Sequence, residues 1–136
     1  MSDFEDRTWY EFRNAVYGGD FDLAKAQLDA HPGLIEAVNA TGETVLHFLA
    51  VEDDLDGVRW LHDNGASLDT KNRFGNPVVF EVAVLEYREL FQWFVDQGAD
   101  VATRDGDGLD LFQYLIENEK DDMAEWVRSI VGSAGR

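Results

Sequence analysis

The 136 residues suffice for one core, and a hydrophobic content of 45% is ordinary for a soluble protein. Against 11 Lys and Arg stand 28 Asp and Glu, a formal net charge of −17 that disfavours nucleic acid or an anionic membrane as partner and makes a basic protein surface the natural complement. The absence of cysteine removes disulfides and thiolate chemistry, whether metal binding or nucleophilic.

Taken in chain order, Met1-Ser2-Asp3-Phe4-Glu5-Asp6 is acidic and has no apolar stretch, so no secretory leader is expected. No later run has the length and apolarity of a membrane span. These features fit a cytoplasmic protein with short tails at 1–8 and 134–136. The first periodic segment holds Phe12, Ala15, Val16, Gly19 and Asp20 and ends in Ala30-His31-Pro32-Gly33-Leu34, a loop interrupted by proline. From Gly42 onward a unit recurs every 33 residues: Gly42, Gly75 and Gly108; Leu46, Val79 and Phe112; Leu49, Val82 and Leu115; Ala50, Ala83 and Ile116; Trp60, Trp93 and Trp126. The first segment matches it at an offset of 34.

Inside each unit the spacing spells two amphipathic helices. Val79, Val82 and Ala83 fall at i, i+3 and i+4, and Leu90, Trp93 and Phe94 repeat that pattern after a polar break. Such a pair can bury its apolar face only against neighbouring pairs, so the units should stack into a solenoid with a continuous core. The three periodic tryptophans should then hold equivalent places on the second helices, largely buried between units. Gly65 and Gly98 follow the second helices as C-cap signals and open the loops Gly65-Ala66-Ser67-Leu68-Asp69-Thr70 and Gly98-Ala99-Asp100-Val101-Ala102-Thr103.

A 33-residue helix–turn–helix unit opening on Gly42-Glu43-Thr44-Val45-Leu46-His47 resembles the ankyrin repeat, lacking only the proline of its G-x-T-P-L-H motif. The later copies, Gly75-Asn76-Pro77-Val78-Val79-Phe80 and Gly108-Leu109-Asp110-Leu111-Phe112-Gln113, keep the glycine and the hydrophobic frame. The resemblance implies an all-α solenoid of about four repeats, 9–38, 39–71, 72–104 and 105–133, forming a single domain over 9–133. It implies protein binding and is nearly silent on the partner, because repeat arrays serve unrelated tasks through variable surface positions.

No catalytic, cofactor or metal residue is assigned, and an enzyme is the remotest reading. His47 holds the motif's histidine position, where the resemblance implies hydrogen bonds tying neighbouring loops. His62 lies on the outer part of a second helix and His31 precedes a proline in a loop; none has a serine at a suggestive spacing. Asp105-Gly106-Asp107-Gly108-Leu109-Asp110 alternates acid and glycine but fails a calcium loop, with Leu109 where a ligand should stand and Ile116 where a closing glutamate should. Repeat register explains it better, as a turn at a finger tip.

The glycine that in the family turns the first helix into the second is replaced by Asp53, Glu86 and Glu119, while Gly18-Gly19 survives in the first unit. A left-handed glutamate costs on the order of 1 kcal/mol, so these turns are expected to adopt another geometry. They also collect acid, as Glu52-Asp53-Asp54-Asp56 and as Glu117, Glu119, Asp121 and Asp122. Motif register implies contact positions at Ala40, Thr41, Glu43, Val51 and Glu52; at Arg73, Phe74, Asn76, Val84 and Leu85; and at Gly106, Asp107, Leu109, Glu117 and Asn118. Phe74, Val84 and Leu85 make an apolar centre ringed by polar and acidic groups, the pattern of an interface anchor. A lone array of this kind is expected to work by blocking a site on its partner. Small, acidic, degenerate ankyrin proteins resemble bacterial immunity proteins held against toxins. A general scaffold or regulatory module is the alternative.

Overall fold

The computed structural model describes residues 6–134, and side chains through residue 132. The elements run α1 (Asp6–Tyr17), α2 (Phe21–Ala30), a 3₁₀ turn (Pro32–Ile35), α3 (Val45–Val51), α4 (Leu55–Asp63), α5 (Val78–Val84), α6 (Arg88–Asp96), α7 (Leu111–Glu117) and α8 (Asp121–Ala134). Helix α1 opens at Asp6, inside the stretch 1–8 read as a tail, and buries Trp9 just beyond it; residues 1–5 and 135–136 lie outside the described residues. The proline loop is tightened into the 3₁₀ turn, with Pro32 at its first position, where a missing N–H costs nothing.

Helices pair α1 with α2, α3 with α4, α5 with α6 and α7 with α8, and the first helices of successive pairs pack directly on one another. The second helices are spaced more widely, which curves the stack and puts α1, α3, α5 and α7 on its concave side. The core threads all four pairs through Phe12, Leu46, Leu49, Phe80, Val82, Phe91, Phe94 and Leu115, each fully buried. Trp9, unmatched by the repeat, donates from Nε1 to the Ala37 carbonyl at 3.0 Å and so ties the first helix to the end of its own unit.

The periodic tryptophans occupy equivalent places on α4, α6 and α8, yet they are only partly buried. Each lies against the preceding second helix: Trp60 stacks on Phe21 with ring centroids 5.5 Å apart, Trp93 meets His62 edge-on at 5.6 Å, and Trp126 meets Phe91 at 5.8 Å. Their burial falls short of expectation because the outer helices diverge, so each ring bridges two helices with one side left to solvent.

The turn from first to second helix is built four times in one way. In the second pair the Asp53 N–H donates to Ala50 O and the Asp54 N–H to Leu49 O, the crossed pair of bonds that ends a helix on a left-handed residue. Gly19, Glu86 and Glu119 repeat it. The φ angles are 77° at Gly19, 59° at Asp53, 64° at Glu86 and 59° at Glu119, which corrects the expectation that acidic residues would force another geometry. Two backbone hydrogen bonds and the packing of both helices over-determine the conformation, so the side chain does not choose it. Asp53→Gly should accordingly raise stability by about 0.5–1 kcal/mol, read as a shift of the urea midpoint without change of slope. A decrease would show that the Asp53 side chain makes a stabilising contact that outweighs the strain.

Candidate functional site

Three columns of residues run along the inner helices beside the core, and Phe48 and Tyr114 of the first pack against it. One holds Asn14, Phe48, Glu81 and Tyr114; the next Tyr17, Val51, Val84 and Glu117; the third Gly18, Glu52, Leu85 and Asn118. The middle column is apolar through its first three members. Tyr17 is 55% exposed and Leu85 41%, while Val51 and Val84 are half-buried between them. Val84 nonetheless packs against the core on its inner side.

The contact positions named from register fall on two edges of this face. Thr41, Glu43, Arg73, Phe74, Asn76, Asp107 and Leu109 lie on the fingers, with Ala40 and Gly106 beside them; Val51, Glu52, Val84, Leu85, Glu117 and Asn118 lie at the turn ends of the inner helices. Phe74 is 61% exposed, and the Arg73 guanidinium lies over its ring, 4.9 Å from the centroid. Helix α5 separates Phe74 from Leu85 by its own length, about 10 Å, so the two do not form one patch as their shared repeat suggested.

Much of the finger chemistry is consumed by architecture. The Asn39 Oδ1 accepts from the N–H groups of Thr41 and Glu43, Asn72 Oδ1 from Phe74 and Asn76, and Asp105 Oδ1 from Asp107 and Leu109, all at 2.9–3.1 Å. Asp105 thus serves its own finger through Oδ1. Successive fingers are tied by the Arg73 N–H to Thr41 O at 3.1 Å and by Lys71 Nζ to Arg104 O at 3.0 Å.

His47 is fully buried, and its Nε2–H donates to Glu81 Oε1 on the next inner helix at 2.9 Å, with Glu43 Oε2 at 3.8 Å. The motif histidine therefore bridges repeats through a carboxylate rather than through loop backbone, because Glu81 stands in the first of these columns directly beside it. Glu43, His47 and Glu81 place three metal-ligand atoms within 4.8 Å of one another. They close as a hydrogen-bond network instead: Asn72 Nδ2 donates to Glu81 Oε1 at 3.0 Å and Thr41 Oγ1 to Glu43 Oε1 at 2.9 Å. A histidine holding metal through Nε2 carries its proton on Nδ1 and needs an acceptor there, and the His47 Nδ1 is buried without one.

Along the turn edge the residues after Glu86 and Glu119 reach back one repeat. Tyr87 Oη donates to Val51 O at 3.0 Å, and Lys120 Nζ donates to Glu86 Oε2 at 2.8 Å. The hydrogen bond and the charge of Lys120 together hold the Glu86 carboxyl below the usual range. Asp54 caps α4 by accepting from the Gly57 N–H, and burial pushes its carboxyl up against that bond, helped by the nearby Asp56. Between successive turns lie clefts: one of about 270 Å³ bounded by Asp53, Leu55, Glu86 and Tyr87, and one of about 550 Å³ bounded by Glu86, Ile116, Glu119 and Met123.

Sequence reasoning missed three exposed apolar residues, two on the first helix and one at the end of the stack. Tyr17 is the register mate of Val51 and Val84, and an offset of 34 applied to the first unit would have found it. Tyr10 lies on the same helix, 39% exposed under the Arg13 guanidinium. Ile116 is 51% exposed although its counterparts Ala50 and Ala83 are fully buried, since no later inner helix among the described residues covers it.

A concave row of helices, closed turn by turn and finger by finger, is a repeat scaffold that presents side chains along one face. Its sequence agrees with that geometry: a family model described as ankyrin repeats in many copies matches residues 46–85. Ankyrin repeat and SAM domain-containing protein 6 of Mus musculus is 29% identical over 103 residues, 75% of this chain and 12% of that protein. The protein of the same name from Rattus norvegicus is 26% identical over 113 residues, 82% of this chain and 13% of that protein. The chain therefore spans only about an eighth of the length of the curated relatives it matches. The chain is thus similar to ankyrin repeat proteins and is an all-α repeat solenoid, the architecture of a protein–protein interaction module. Among the described residues, no helix is long and apolar enough to cross a membrane.

Proposed function

We propose that the chain binds a protein with a basic surface through its concave face, and that in doing so it covers a functional site on that partner, as an immunity protein covers a toxin. One observation carries the reading: Phe74 and Leu85 stand exposed on this face as large apolar groups, with half-buried Val84 beside Leu85, inside a chain of net charge −17. Acidic rims steer encounter, and a desolvated apolar centre holds the complex. Cytoplasmic residence belongs to the same proposal. The competing reading, a scaffold or regulatory module, draws on the relatives, whose names join ankyrin repeats to a SAM domain.

The partner recovered by pull-down from the native host provides the test. Phe74→Ala or Leu85→Ala should weaken its binding by about 2 kcal/mol while leaving Tm nearly unchanged. The association rate should fall steeply as salt rises, with the dissociation rate much less affected. A large stability loss with binding intact would assign these side chains to the fold. A partner that keeps its own activity in the stoichiometric complex would remove inhibition and leave the scaffold.

A further inference from the structure

We propose that the partner segment seated on this face is a basic amphipathic helix, laid across the turn ends of α1, α3, α5 and α7, with its apolar side on Tyr17, Val51, Val84 and Leu85. Its Lys or Arg side chains enter the clefts between successive turns. The inference rests on the protein-binding reading above and adds the occupant's conformation, its charge and the edge it uses.

Charge complementarity selects a cationic occupant. Glu52, Asp53, Glu86 and Glu119 line the turn side of the apolar column and Glu117 ends it, all exposed. The basic groups there are already engaged, Lys120 on Glu86 and Arg88 over the Trp126 ring at 4.8 Å. The clefts suit Lys and Arg in particular, because Leu55 and Tyr87 in one, and Ile116 and Met123 in the other, offer apolar walls to an aliphatic stem below a carboxylate rim.

Backbone accounting selects a helix. At each turn the N–H groups of residues 53 and 54, 86 and 87, and 119 and 120 all donate within their own turn, so this edge presents no ladder for a strand to join. An extended segment desolvated on the apolar column would leave its own N–H and C=O groups unpaired, whereas a helix carries its bonds internally. Spacing agrees. Packed inner helices stand about 8–10 Å apart, close to the rise of about seven helical residues, so cations at heptad intervals meet successive clefts. Four inner helices span about 30 Å, the length of about 20 residues of helix.

The test uses three synthetic peptides of about 20 residues: a leucine-faced helix with lysines at heptad intervals, the same composition with a central proline, and the first with its lysines replaced by glutamate. Binding is measured by titration calorimetry against the whole chain. The first peptide should bind; the proline and glutamate peptides should bind at least about tenfold more weakly. On the protein, Leu85→Asp should cost about tenfold or more, and Asp53→Asn with Glu86→Gln should weaken binding at low salt and not at high salt. Circular dichroism checks that the variants fold. Equal binding of the proline peptide would overturn the helix and leave the protein-binding reading standing. So would sensitivity to Phe74→Ala with indifference to Leu85→Asp. Failure of all three peptides while the native partner binds the face also overturns the helix alone; failure of both overturns both readings.

Discussion

Replacing Phe80 with alanine is expected to cost about 3–5 kcal/mol, against about 2–3 kcal/mol for Trp93→Ala, although tryptophan is the larger residue. Phe80 is fully buried on an inner helix in the middle of the stack, 5.3 Å from the Tyr114 ring of the next repeat. Its removal leaves a cavity walled by helices that pack closely and cannot collapse. Trp93 sits between outer helices that already diverge, so part of its ring remains in water and the vacancy opens to solvent. Equilibrium unfolding in urea measures both. A Trp93 loss matching that of Phe80 would mean the outer helices pack as tightly as the inner row. A Phe80 loss below 1 kcal/mol would mean the inner row does not hold the array together.

The period of 33 made the solenoid legible, because a helix pair that cannot bury its own face leaves the same apolar columns in every copy. What period cannot supply is the depth of burial along a curved stack. Val82 and Trp93 recur with equal regularity, yet one is fully buried and the other partly open, since curvature separates the two helix layers. The turns went unread for a different reason. Propensity argues against a left-handed acidic residue, and tertiary structure overrode it at Asp53, Glu86 and Glu119, because the crossed hydrogen bonds there depend on backbone alone.

At the candidate site, register named positions without saying which would meet. Phe74 and Leu85 share a repeat but lie on opposite edges of the concave face, separated by the helix between them. The column Asn39, Asn72 and Asp105 was equally periodic and equally readable, yet a polar column draws attention only once its oxygens are seen accepting two backbone donors each. His47 held its motif position, while its partner Glu81 lay 34 residues away in a column with no fixed residue type, so the carboxylate bridge could not be inferred from the motif.

The finger tips supply the second large effect. Gly75→Ala should cost about 2–4 kcal/mol, whereas Gly108→Ala should cost only about 1 kcal/mol, although both glycines have φ of +82°. The backbone strain is shared; the surroundings differ. A Cβ on Gly75 would lie 2.7 Å from the Gly106 Cα and 3.0 Å from its nitrogen, contacts with backbone that only movement of the whole neighbouring finger relieves. Beside Gly108 nothing stands within 4 Å. Gly106 faces the same constraint from the other side, since a Cβ there would collide with the Phe74 carbonyl oxygen. Urea unfolding reads the energies, and amide chemical shifts at Phe74 and Gly106 read the displacement. Equal costs for the two substitutions would show that the fingers yield freely and that left-handed strain is the whole effect. Unequal costs would mean that Phe74 is carried on a finger locked to its neighbour, so Gly75→Ala should also disturb any binding that depends on Phe74 and spare binding at the turn edge around Leu85.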